Sequence, residues 1–182
     1  QTWLDTDCNV PTSAFGGVTT DTEGTAPTTL TETGDNLIVM IDSRSEWDRL
    51  GNSPTWISIA KIAHDPDTGR IIDADIEIND GVYTFSTDGS PGSNEVDFQS
   101  ALTHEFGHFL GMADSPVLGA TMYSAPNQDA EGRSLESDDV TGLCALYANV
   151  PTCDCEGSNC GANNCGESCG DCGTNGTCED GH

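Results

Sequence analysis

The chain has 182 residues, enough for one domain of ordinary size with a small appendage and too few for two large ones. Hydrophobic residues make up 35%, which together with the 21 glycines fits a folded protein and not a disordered one. Asp and Glu total 31 against five bases (Arg44, Arg49, Lys61, Arg70, Arg133), a formal charge of −26, so a phosphate backbone or an anionic lipid surface would repel the molecule and both roles are excluded.

In chain order, the longest purely aliphatic run is Leu37 to Ile41, a strand's length and far short of the roughly 20 residues that cross a bilayer, so no membrane span is expected. Trp56 to Ile62 alternates apolar and polar residues as a half-buried strand does. Asp65-Pro66-Asp67-Thr68-Gly69 has the composition of a turn, and Ile71 to Ile78 resumes the alternation with Ile72, Ala74, Ile76 and Ile78 on one face, which predicts a hairpin. Val82 to Ser86 predicts a further strand, ended by Asp88-Gly89-Ser90-Pro91-Gly92. The period then changes: Phe98, Leu102, Phe106 and Phe109 recur at threes and fours, predicting a helix from about Glu95 to Leu110. A second helix is predicted over 138–147, with Ser137 as its N-cap, Asp138 and Asp139 favouring the first turn, and Val140, Leu143, Cys144 and Tyr147 on one face. Asp65, Asp67, Asp73, Asp75, Asp80 and Asp88 read as acids of loops, explained mostly by turn chemistry and solvation.

Past Tyr147 the composition shifts. The chain has no Val, Ile, Leu, Met, Phe, Tyr or Trp after Pro151, while seven of its nine cysteines fall between Cys153 and Cys178. Such a stretch cannot bury a core, so covalent cross-links must hold its shape. We therefore divide the chain into a domain of residues 1–150 and a disulfide-stapled module of residues 151–182, with a metal site on Cys169-Gly-Asp-Cys172 as the weaker rival. Seven cysteines cannot all pair within the module, which reads as cut short. Nine cysteines point to an oxidising compartment and hence to a secreted, extracellular protein, although no signal peptide opens the chain.

The chemistry sits on the first long helix, in His104-Glu105-Phe106-Gly107-His108-Phe109-Leu110-Gly111-Met112-Ala113-Asp114. Histidines at i and i+4 project from one side a turn apart, the separation two nitrogens need to share a tetrahedral zinc. Glu105 stands beside the first ligand and can take a proton from an attacking water without ligating the metal. Gly111 can end the helix in a left-handed conformation, and the returning chain can bring Asp114 in as a third ligand, leaving one position open. The bland alternative is two solvated imidazoles on an amphipathic helix, in a motif met by chance.

The extension past His108 argues against that alternative. Gly111 and Asp114, followed by Ala120-Thr121-Met122-Tyr123, resemble the zinc helix and Met-turn of the metzincin metallopeptidases, within them the matrixin-like branch. Arg133 to Asp139 with Gly142-Leu143 and Leu146-Tyr147 is similar to the approach to, and body of, that family's last helix, so the likeness runs over roughly residues 35–148. It implies an α+β catalytic domain with a twisted mixed sheet, a zinc-binding helix, a Met-turn and a C-terminal helix. It also implies that His104, His108 and Asp114 bind Zn2+, that Glu105 is general base and then proton donor to the leaving amine, and that Met122 floors the metal site without ligating it. Tyr123 to Pro126 would line the primary specificity pocket, and Thr84 and Phe85 would lie on the edge strand against which matrixins hold an extended peptide or protein substrate. Loop carboxylates would make structural Ca2+ a candidate addition, and a monomer is expected.

Departures from the family pattern are equally specific. The third ligand is Asp where matrixins carry His, which lowers the formal charge of the metal site from +2 to +1 and should leave a bound water less acidified. The chain opens where matrixins are near the end of their first helix, so the first strand and most of that helix are expected to be missing. No propeptide switch motif surrounds Cys8, and its expected partner is Cys144. His64, beside a turn and out of register with the other two histidines, reads as a surface residue, and His182 is given no role. Against a secreted zinc endopeptidase stand a noncatalytic zinc-fold protein that binds another protein or a surface through the Cys-rich tail, and a peptidase of the other large zinc class. The last would need a Glu ligand on a later helix, and neither Glu131 nor Glu136 begins a helical Glu-x-x-x-Asp.

Overall fold

A computed structural model of the chain describes residues 2–10, 17, 36–125 and 129–148. The chain divides into two units at Leu146, and the elements below belong to the first, Gln1–Leu146, with α3 ending one residue beyond it. They are β1 (Ile38–Met40), α1 (Arg44–Arg49), β2 (Ser58–His64), β3 (Ile71–Ile78), β4 (Thr84–Ser86), β5 (Glu95–Asp97), α2 (Phe98–Phe109) and α3 (Ser137–Tyr147), with short 3-10 turns at Trp3–Asp5 and Ala130–Arg133.

The hairpin read from the alternation is present. β2 and β3 pair antiparallel from Ser58 opposite Ile78 to Ala63 opposite Asp73, and after an irregularity His64 stands opposite Ile71. Asp65 builds the turn: its Oδ1 accepts from the backbone N–H groups of Asp67 at 2.9 Å and Thr68 at 3.0 Å, and its carbonyl accepts from Gly69 N at 2.8 Å. Gly69 has φ +73°, a conformation that costs glycine nothing. β1 adds to the other side of β3 in parallel, Ile38 opposite Ile76, giving a mixed sheet in the order β1-β3-β2.

Both faces of β3 are covered. Ala74, Ile76 and Ile78 are fully buried on the face toward α2, which packs on β2 and β3. On the opposite face, Val39, Ile41 and the fully buried Trp47 of α1 form a cluster with Leu37, Leu50 and Ile59. That cover corrects the reading of Asp73 and Asp75 as loop acids: both lie within β3 and are buried, as is Glu77. Glu77 accepts from Asn52 Nδ2 at 2.6 Å and from Lys61 Nζ at 2.8 Å, so its charge is compensated. Among the described residues Asp75 accepts from Leu37 N at 2.9 Å, and burial, with Asp73 and Glu77 adding to it, outweighs that bond and Lys61 and pushes its pKa up to about 6.

The periodic reading of α2 starts three residues early. Glu95–Asp97 is strand, paired in parallel with β4, and the helix begins at Phe98 because Asp97 caps it, accepting from Ser100 N at 2.9 Å. β4 itself is shorter than the apolar run 82–86 suggests. α1 was absent from the sequence reading; its signal is Ser43 followed by Glu46, the Ser43 hydroxyl accepting from Glu46 N. Cys8 and Cys144 form the expected disulfide, which ties the N-terminal segment to α3 with 4.8 Å between Cα atoms. No helix among the described residues is long and apolar enough to cross a membrane. The Cys-rich stretch 153–182 lies outside the described residues.

Candidate active site

α2 presents His104 and His108 on one side, one turn apart, with their rings 4.8 Å apart between centroids and nearly perpendicular. Each ring is oriented from behind by a backbone carbonyl. His104 Nδ1 donates to Thr121 O at 2.7 Å and His108 Nδ1 to Met112 O at 2.8 Å. A carbonyl can only accept, so the proton sits on Nδ1 and both Nε2 lone pairs are free to ligate.

The chain reversal that delivers the third group is a helix C-terminal motif built on Gly111. With Gly111 at φ +89°, its N–H reaches His108 O at 2.7 Å and the Met112 N–H reaches Gly107 O at 3.0 Å. The same turn therefore ends the helix, supplies the carbonyl that orients His108, and swings Asp114 back. Asp114 Oδ1 lies 3.7 Å from His104 Nε2 and 3.6 Å from His108 Nε2. Two nitrogens and an oxygen on a tetrahedral zinc at about 2.0 Å stand roughly 3.3 Å apart; the three donor atoms here lie within 4.8 Å of one another, so the set suits zinc once it contracts around the ion. Among the described residues it is the one His, Cys, Asp or Glu group that converges in this way. Of the acids considered for calcium, Asp65 and Asp88 cap their own turns, and Asp73 and Asp75 are inside β3.

Glu105 is buried beside His104, His108 and Asp114 and is not part of their converging set. Ser58, the first residue of β2, donates from Oγ to Glu105 Oε1 at 2.7 Å. His104, His108, Asp114 and Glu105 open on a cleft of about 510 Å³ whose other wall runs from Thr55 to Ala60, with Ile62 and Ser124 completing it. Among the described residues β2 pairs with β3 alone, so the strand along the cleft keeps one edge free. Trp56, 46% exposed, stands at the lip.

Beneath the site, Met122 is fully buried, and a methyl group added at Gly107 would overlap its sulfur. The Met-turn is pinned by the fully buried Asp139 of α3, which accepts from Thr121 N at 2.8 Å, Met122 N at 2.9 Å and Glu136 N at 2.8 Å. Asp97, at the other end of α2, is bound by Arg133 through Nε at 2.8 Å and Nη2 at 2.6 Å.

The structure thus brings together His104, Glu105, His108 and Asp114 over Met122. It does not bring Thr84 and Phe85 to the cleft: β4 pairs with β5, and the Phe85 ring packs edge-on against Phe98 at 5.7 Å. The strand that lines the cleft is β2, one hairpin earlier. Tyr123 is half-buried beside the wall formed by its neighbour Ser124, Pro126 lies outside the described residues, and His64 is exposed at the end of β2. Sequence reasoning gives Ser58, Asp139, Asp97 and Arg133 no role in the site. Two of these had a local signal, Asp97 as a cap three residues before Ser100 and Asp139 as an acid at a helix start; Ser58 had none.

Residues 29–148 match the family profile described as Matrixin. The chain is 45% identical to matrilysin of Mus musculus over 69 residues, 37% of this chain and 25% of that protein. It is 35% identical to metalloendoproteinase 4-MMP of Arabidopsis thaliana over 69 residues, 38% of this chain and 20% of that one. With the interstitial collagenase of Bos taurus it shares 30% identity over 122 residues, 66% of this chain and 24% of the collagenase. The matched stretches span a quarter or less of these relatives' length. A match over well more than half of the chain, on a structure that joins a His-Glu-x-x-His helix to a Met-turn, makes this chain a member of the matrixin family.

Proposed function

We propose that the chain is a zinc-dependent endopeptidase that hydrolyses extended polypeptides. The observation that carries the reading is the convergence of His104 Nε2, His108 Nε2 and Asp114 Oδ1 beside a Glu105 that is held out of the ligand set. When bound there, zinc supplies a Lewis acid that polarises the substrate carbonyl and acidifies water. Glu105 is the general base: Ser58 occupies Oε1 and leaves Oε2 to accept the proton of the attacking water, which the carboxyl group then carries to the leaving amine. The Ser58 hydroxyl and burial against β2 hold the Glu105 carboxylate in one position in the wall of the cleft.

The free edge of β2 is the substrate platform. An extended peptide would add to it by backbone hydrogen bonds, with side chains directed alternately toward Trp56 and toward the wall at Ser124. This assigns to Ser58–Ile62 the role that the family resemblance implied for Thr84 and Phe85. The Cys8–Cys144 bridge and the cysteine density of 153–178 support secretion, and a disulfide-stapled module of residues 151–182 able to bind a protein or surface.

Proteolysis of an unstructured protein by the full chain tests the reading. Activity is expected with zinc, is lost on chelation and returns on zinc addition, while Glu105→Ala loses 100-fold or more, on the order of a general base's contribution, and still binds zinc. Zinc uptake with no proteolysis in the wild type would favour the noncatalytic binding protein.

A further inference from the structure

We propose that residues 2–10 form a strap behind the metal helix in which Trp3 is a positioning residue for the zinc ligands and the Cys8–Cys144 disulfide is its clasp. The inference rests on the zinc-site reading above. The strap lies outside the stretch that matches the family, residues 29–148.

Trp3 is 2% exposed although it stands near the chain's beginning. Its Nε1–H donates to Thr103 O at 2.7 Å, the carbonyl immediately before His104. Its ring edge enters the notch left by Gly107, where an added Cβ would stand 2.7 Å from Trp3 Cζ2 and would also overlap Met122 Sδ. Gly107 follows His104 by three residues and precedes His108 by one, so it lies on the flank of the turn that carries both histidines, and the indole and the methionine together pack against that flank beside the ligands. Moving either lets α2 rotate or settle, and a rotation shifts His104 and His108 together relative to Asp114, which arrives on a separate piece of chain.

The indole is itself held. Trp3–Asp5 is a 3-10 turn closed by Asp5 Oδ2, which accepts from Thr2 Oγ1 at 2.7 Å and from Thr2 N at 3.2 Å, and Thr6 Oγ1 donates to Trp3 O at 2.9 Å. Beyond Trp3 and Thr6 the strap buries little: Leu4 is 41% exposed, and Thr2, Asp5 and Asp7 are exposed. The covalent link to Cys144 therefore keeps the strap local to α2, at an effective concentration that its few contacts would not sustain. Because Cys144 and Asp139 share α3, one helix fastens both the strap and the Met-turn under the metal.

The test is zinc affinity of the full chain, by competition with a chromophoric chelator, for the wild type, Trp3→Phe, Trp3→Ala, Cys8→Ser/Cys144→Ser and a stability control, Val39→Ala, on the far face of the sheet. Trp3→Ala and the double cysteine variant are expected to bind zinc about 10-fold more weakly, the lower end of what supporting residues contribute, and Trp3→Phe less than that. Val39→Ala should lose thermal stability and keep the wild-type affinity. Unchanged affinity in the strap variants, or an equal loss in Val39→Ala, overturns the proposal; if Trp3→Ala does not fold, Trp3→Phe and the cysteine variant decide. Should the wild type take up no zinc, the peptidase reading fails on its own. The strap is then judged by amide exchange of residues 104–108 in the metal-free protein, which Trp3→Ala must accelerate more than Val39→Ala does.

Discussion

At the scale of single residues, the site is a set of side chains each fixed by a partner that the motif does not contain. His104 and His108 are aimed by the carbonyls of Thr121 and Met112, and Glu105 by the hydroxyl of Ser58. Removing that hydroxyl should disturb the base and not the metal: Ser58→Ala is expected to lower kcat about 10-fold with KM and zinc affinity near wild type, measured by steady-state kinetics on a quenched peptide. The convergence of His104, His108 and Asp114 was legible in the sequence because they lie within eleven consecutive residues whose spacing is dictated by one helix and one turn. Ser58 was not, because its partner is 47 positions away and serine at the head of a strand carries no signal of its own. Asp75 is a second residue whose surroundings the sequence concealed. Burial raises its pKa to about 6, so between the ordinary carboxylate value and that point the folded protein holds a proton that the unfolded chain has lost. Its contribution favours folding at low pH and fades as pH rises through about 6. Asp75→Asn should therefore be more stable than wild type at pH 7 and should flatten the melting temperature between pH 4 and 6, as scanning calorimetry would register.

At the scale of elements, the position of α2 is set at both ends. Asp97 caps its start and binds Arg133, while Gly111 closes its end and returns Asp114. Burial would raise the pKa of Asp97, but the Arg133 hydrogen bonds, with those from Ser100 N and Oγ, hold it below the ordinary carboxylate value. A depressed folded pKa gives stability that is fully present above the unfolded value and is lost as pH falls through the folded one. Arg133→Ala is accordingly expected to melt at a lower temperature at pH 7 and to unfold in acid at a higher pH than wild type, followed by circular dichroism. The hairpin and both long helices were legible because periodicity is a local property of sequence. Sheet neighbours were not: the apolar run at 82–86 looks like an edge strand as much as 58–64 does, and only the packing of α2 against β2 decides which one borders the cleft. The same holds for the polar face of β3, where alternation suggested solvent and Trp47 of an unforeseen α1 supplied cover.

At the scale of the whole molecule, one mixed sheet of the first unit carries a hydrophobic cluster on one face and α2 on the other, while the Cys8–Cys144 bridge ties residues 2–10 to α3 and Trp3 reaches α2 at Thr103 O. Four of the five bases are spent in ion pairs with acids, so the large negative charge is balanced locally and only in part. The division at about residue 150 was read from composition alone, and the tail's role stays a proposal. The family was legible from the spacing of a dozen residues because metal geometry tolerates little variation. The strap was not, because nothing in Gln1-Thr2-Trp3 reveals which helix an indole will meet. The claim that unites these levels is a zinc held by two imidazoles and one carboxylate. X-ray absorption at the zinc edge on the full chain and on Asp114→Ala tests it most directly. The account predicts one zinc per chain with two nitrogen and one carboxylate oxygen scatterers from the protein at about 2.0 Å, and loss of that oxygen with weaker binding in the variant. A zinc bound through sulfur, or a coordination shell unchanged by Asp114→Ala, would contradict it.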